Sequence, residues 1–211
     1  MNPLVRSRRN ARDVRRVQYA ANVAEALGTL EHSCEIYGLA RGQYSLIDII
    51  EHILGQTGPA DLVISTWTAA GADIDYALRL CENGSVRSLR WLVDASFPLR
   101  QPGYCAAMRE RFGDESIRVT ENHAKFVLLG NAAWAIVLRT SMNLNENRRL
   151  ESFEVSDDRE LFAYLMEVVA ALFAEVTGSE QVALTRNDNR NQFNAVSDAN
   201  IPKRSRLRYV K

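Results

Sequence analysis

Lysine is nearly missing from this sequence. Its 26 basic residues divide into 23 arginines and three lysines, and Lys203 and Lys211 fall in the last nine positions. That leaves Lys125 as the one interior lysine, two residues after His123, itself one of only three histidines. Cysteine is scarce as well. Cys34, Cys81 and Cys105 are odd in number and lack metal-ligand spacing, which suits free thiols in a reducing cytoplasm. His32 and Cys34 stand close together, but two candidate ligands without a second pair do not make a zinc site. No apolar run approaches the roughly 20 residues that span a bilayer. No secretory apolar segment follows the basic start MNPLVRSRRNARDVRRVQ, so neither a membrane span nor a signal peptide is expected. Nothing in the sequence calls for a metal or a cofactor.

The formal net charge is zero, but charge is strongly segregated. Residues 1–18 carry Arg6, Arg8, Arg9, Arg12, Arg15 and Arg16 against Asp13, a net +5. Residues 183–211, which include Lys203, Arg204, Arg206 and Arg208, also carry +5, and the middle carries −10. Basic ends of this kind follow a polyanion through counterion release, or they serve as solvated tails. The last segment is rich in Asn and poor in large apolar residues, so it reads as a flexible arm. The division expected is a basic arm over 1–18, one domain over 19–182, and a basic arm over 183–211.

Periodicity supplies the elements. VRRVQYAANVAEALGTL (14–30) has apolar residues at helical spacing and ends at a Gly stop. YSLIDIIEHILGQTGPA starts a second helix at a Ser cap and ends it at Gly55. DLVISTWT is a strand buried on both faces. The helix GADIDYALRLCENG, the strand SLRWLVDASF, the helix GYCAAMRERFG and the strand SIRVT follow. AKFVLL, WAIVLRTS and ESFEVS read as further strands, with a turn at GNAA between the first two. A last helix opens at Asp157, with Glu160 at capping-box spacing and a buried stripe of Leu161, Leu165, Val168, Val169, Leu172 and Val176. Strand–helix alternation followed by hairpins predicts an α/β sandwich with a mixed central sheet.

On a strand, His123 and Lys125 leave the same face, and Ser141 and Asn143 repeat that geometry near the end of the next strand. A hairpin turning near Gly130 brings both pairs to one sheet end. Imidazole, ammonium, hydroxyl and amide together suit a tetrahedral phosphoryl group. The imidazole can attack phosphorus or move a proton, and the others meet the non-bridging oxygens. Glu151, at the start of the next strand, can orient the imidazole, with Glu154 as the alternative acid. Ser65, Thr66, Trp67 and Arg139 are placed to line the pocket mouth, and Trp134, near the hairpin turn, can stack a base or pack in a dimer contact.

The stretch HAKFVLLG…RTSMNLNENRRLE resembles the signature of the phospholipase D superfamily: H-x-K, an Asp, then G-S-x-N and a later Glu. The strand–helix–strand run that ends at Asp94 is also similar to that family's opening, so the resemblance covers roughly 58–175. Small phage or prophage proteins carrying one such domain come closest in overall impression. Three departures stand out. Gly130 occupies the place of the Asp, Thr140 that of the first glycine, and the Lys-to-Ser distance is longer than usual.

The resemblance implies a phospholipase D-like α/β/α sandwich and a two-step, metal-free mechanism. One His forms a phosphohistidine, and a second protonates the leaving oxygen. The single H-x-K unit then implies a homodimer with one shared site. The expected substrate is a DNA phosphodiester, which would make the chain a nuclease. A DNA-binding module without turnover is the alternative, and a lipid phosphodiesterase stands behind both.

Overall fold

The computed structural model describes residues 13–145 and 148–175. Eight strands form one sheet: β1 (Asp13–Gln18), β2 (Cys34–Ala40), β3 (Ala60–Thr66), β4 (Val86–Asp94), β5 (Ile117–Thr120), β6 (Phe126–Gly130), β7 (Ala135–Thr140) and β8 (Glu151–Asp157). Their order across the sheet is β1-β2-β8-β7-β6-β3-β4-β5. β1 pairs in parallel with β2, and β3, β4 and β5 pair in parallel with one another. Every contact made by β6 and β8 is antiparallel. Six strands therefore end, and β6 and β8 begin, at one edge of the sheet. In open α/β sheets, the carboxyl ends of the parallel strands are where ligands bind.

Helices cover both faces. On one face lie α1 (Val23–Leu27), α2 (Leu46–Thr57), α3 (Gly71–Glu82), the four-residue α4 (Phe97–Arg100) and α5 (Pro102–Phe112). Their apolar residues, such as Ile50, Ile53, Ile74 and Met108, join Ile36, Ile64, Trp91 and Val127 in the main core. On the other face α6 (Arg159–Glu175) lays Leu161, Phe162, Leu165, Met166, Leu172 and Phe173 over Val63, Leu92, Leu128 and Val137. The result is the expected mixed-sheet sandwich. Among the described residues, no helix is long and apolar enough to cross a membrane.

Local departures have local causes. The helix expected over 14–30 is instead strand β1 followed by the short α1. Val14–Gln18 pairs in register with Glu35–Leu39, and tertiary pairing overrides a helical apolar pattern that is weak before Asn22. Residues 13–18, placed in an arm by their charge, thus belong to the sheet. The second helix runs past Gly55 to Thr57 behind a complete Ser45–Asp48 capping box. The last helix is capped by Asp158, whose Oδ1 accepts the Glu160 and Leu161 N–H groups, and not by Asp157. Within its expected stripe only Val169 is fully buried; Leu161, Leu165, Val168 and Leu172 are half-buried, and Val176 lies outside the described residues.

Candidate functional site

His123 and Lys125 do not lie on a strand. β6 begins at Phe126, and residues 122–125 reach it without ladder partners of their own. Buried Asn122 holds this segment in place of a ladder. Its Nδ2 donates to Ser65 Oγ at 2.9 Å and to the Leu92 carbonyl at 3.3 Å, while its Oδ1 accepts the Ala124 N–H at 3.0 Å. Its own N–H donates to the Asp94 carboxylate at 3.2 Å. From beneath, Ser65 donates to the Ala124 carbonyl at 2.8 Å. Both neighbours of His123 are therefore pinned while its side chain stays exposed. Lys125 is half-buried, and its Nζ donates to the His123 carbonyl at 3.3 Å.

The second motif closes against the first. Thr140 N–H donates to the Lys125 carbonyl at 3.1 Å, continuing the β6–β7 hairpin into the Lys125 segment. Ser141 donates to the Glu151 carboxylate and accepts the Ser152 N–H at 2.9 Å. Thr140, in place of a glycine, has a use: its hydroxyl donates to the Ser152 carbonyl at 2.8 Å and accepts the Met142 N–H at 3.0 Å. Asn143 sits one residue before Leu144, whose N–H donates to the Thr68 carbonyl at 3.3 Å, so the motif lies against the loop after β3. The Asn143 Oδ1 is buried and finds no partner among the described residues, as is also true of Asn145 Oδ1.

The expected residues thus reach one sheet edge with altered partners. Glu151 bonds to Ser141. Glu154 is paired with Arg139, directly opposite it in the β7–β8 register, so Arg139 is an ion-paired residue and not a mouth residue. Ser65 and Thr66 are fully buried, and they hold loops from below instead of lining a mouth. Trp67 is half-buried, its ring centroid 6.0 Å from that of His123. Trp134 lies at the opposite sheet edge, stacked at 4.1 Å on His32, whose Nδ1 is 3.0 Å from the buried Asp157.

Arg16 is exposed on β1. Arg15 is tied to the Thr29 carbonyl at 2.7 Å and belongs to the fold. Arg6, Arg8, Arg9, Arg12, Lys203, Arg204, Arg206 and Arg208 lie outside the described residues.

Three contributors escaped the sequence reading. Asn122 and Asp94 buttress the His123 segment, and Arg100 covers the Trp67 ring at 3.7 Å. Arg41, Arg148 and Arg149 are also exposed in loops at this edge. The one available signal was Asp94 at the carboxyl end of a parallel strand. An Asn flanking a His carries no pattern of its own. Among the described residues, no three His, Cys, Asp or Glu side chains cluster as a metal site.

In sequence, no family model and no curated protein matches the chain. In structure, it is similar to a polyphosphate kinase from Porphyromonas gingivalis (13% identity, TM-score 0.50), the match covering 69% of this chain and 27% of that one. NucT from Helicobacter pylori matches at 12% identity and TM-score 0.50, over 68% of this chain and 99% of NucT. The phospholipase D family member Nuc from Salmonella typhimurium matches at 13% identity and TM-score 0.48, over 67% of this chain and 94% of Nuc. The likeness to NucT and to the matched part of the polyphosphate kinase is one of fold, an α/β sandwich on a mixed central sheet. The expected α/β sandwich with a mixed central sheet is borne out, and in this sheet His123 and Ser141 stand at the edge where most strands end.

Proposed function

We propose that the chain is a phosphodiesterase of phospholipase D type that cleaves DNA through a phosphohistidine, as a homodimer. The observation that carries this reading is the gathering of His123, Lys125, Ser141 and Asn143 at one sheet edge, with His123 exposed between two pinned neighbours. In the first step an imidazole nitrogen of His123 attacks phosphorus. The P–O bond to the leaving sugar oxygen breaks, and that oxygen takes a proton from the same histidine of a second copy. In the second step this deprotonated histidine removes a proton from water. The water oxygen displaces His123 from phosphorus and releases the phosphate end. Lys125 offsets charge on the non-bridging oxygens, and the Asn143 amide donates to them. Glu151 accepts the Ser141 hydroxyl and is the candidate acid of the site.

Pure protein incubated with plasmid and with single-stranded DNA in chelator tests the reading. Wild type is expected to cut at least a hundredfold faster than His123→Ala, the scale of a lost nucleophile or proton donor. Equal rates overturn it. Mixing tests the shared site. After exchange at equal amounts, only about a quarter of the dimers keep both histidines, so activity per wild-type chain falls by about half. Activity strictly proportional to wild-type chain overturns sharing.

A second reading, DNA binding without turnover, draws support from the engagement of Glu151 with Ser141. It expects steeply salt-dependent binding that His123→Ala leaves unchanged.

A further inference from the structure

Beside His123 the molecule carries a cationic–aromatic pair, Arg100 over Trp67, that the phosphoryl chemistry does not use. The Arg100 guanidinium lies 3.7 Å from the centroid of the Trp67 ring. Arg100 is held there by two bonds, Nε to Ser96 Oγ at 3.0 Å and a terminal nitrogen to the Trp67 carbonyl at 3.1 Å. Ser96 in turn donates to Asp94, the same carboxylate that holds the Asn122 N–H next to His123. One acid thus fixes both the stack and the histidine segment. Phe97, fully buried, anchors the short helix α4, which leaves its neighbour Leu99 68% exposed. Tyr104 is 42% exposed and lies over Gly71, whose missing Cβ would sit 3.0 Å from the tyrosine ring. Leu99 and Tyr104 are thus large apolar side chains exposed within one short stretch.

We infer that Trp67, Arg100 and Tyr104 form a platform for an unpaired nucleobase next to the scissile phosphate, so that the substrate is single-stranded nucleic acid. The inference rests on the phosphodiesterase reading of His123 and names its substrate class. Guanidinium planes and aromatic rings are the surfaces on which unstacked bases rest, and stacking tolerates any base because each has a π face. Bases inside a duplex are already stacked on one another and cannot reach such a platform. A lipid tail prefers an uncharged wedge, whereas here a guanidinium covers the aromatic ring.

The test measures binding by fluorescence anisotropy at one fixed salt concentration. The probes are a single-stranded oligonucleotide, an abasic strand of equal length and charge, and the corresponding duplex. Wild-type chain is expected to bind the base-bearing strand about 5- to 100-fold more tightly than the abasic one. Trp67→Ala and Tyr104→Ala should each shrink that ratio, and Trp67→Phe should retain most of it. The Tyr104 variant, at an exposed position, guards against a local collapse around Trp67. Equal affinity for base-bearing and abasic strands in wild type overturns the platform. So does a ratio that survives both alanine variants, or vesicle binding that depends on Leu99 and Tyr104 without any base preference. Failure of the His123 reading appears separately, as a wild type that cuts nothing while the base preference persists.

Discussion

Gly130 stands where the phospholipase D signature has its aspartate, yet it sits at the far end of β6 from His123. A Cβ built there would lie 2.6 Å from the Phe162 ring of α6, so the phenylalanine fills the space a side chain would need. The departure therefore belongs to packing between sheet and helix and not to the chemistry at the other edge. Gly130→Asp, which restores the motif, is expected to lower stability by about 1–3 kcal/mol in a urea melt and to give no rise in DNA cleavage. Increased cleavage would return the position to the site.

Thr140 and Asn122 carry the complementary lesson. A threonine in a glycine's place reads as a loss until its hydroxyl is seen to bridge Ser152 and Met142. Asn122, an unremarkable neighbour of His123 in the sequence, makes four hydrogen bonds once Ser65 and Leu92 have been brought to it across the sheet. His123 and Lys125 were legible because lysine is so rare in this chain. The support given by Asn122 was not, because its partners Asp94, Leu92 and Ser65 are 28 to 57 residues away.

At the scale of elements, patterns with local causes survived folding and those with distant causes did not. The capping box of α2 is local: Ser45 and Asp48 bond reciprocally across three residues. Ser45→Ala is expected to cost about 1 kcal/mol, measured as a lower denaturant midpoint with an unchanged slope. β1 and β2 are the opposite case. In β2 the buried positions alternate as Cys34, Ile36, Gly38 and Ala40, but a glycine in mid-strand hides the pattern. Its space is taken by the Phe153 ring from β8, which would lie 2.0 Å from an added Cβ. Only the cross-strand partner turns that glycine into a strand residue.

At the scale of the whole molecule, the two sheet edges differ in kind. One gathers exposed Arg41, His123 and Arg148 in loops and Arg100 at the end of α4; the other is closed by buried Asp157, which accepts the Ser33 and Ala135 N–H groups and the His32 ring. Next to that closure Cys34 is 1% exposed, and burial pushes its thiol pKa up. A raised thiol pKa leaves stability intact below the ordinary thiol range near 8.5. Above it the unfolded chain loses a proton that the fold retains, so stability declines as pH climbs. Iodoacetamide at pH 8 is expected to spare Cys34 in the native protein and to label it fully in urea, as peptide mass spectrometry would read. Rapid native labelling would mean that this half of the sheet opens on its own.

The position of β8 governs how such a sheet can be assembled. It lies between β2 and β7, and its register sets Glu35 against Ser156. β1 and β2, made before the other described strands, therefore have no partner in the rest of the sheet until Glu151–Asp157 has been made. Pairing over so long a separation slows folding. During translation the inner border of β2 stays open to whatever strand arrives first, and a chaperone that shields residues 34–40 would act on the step most exposed to mispairing.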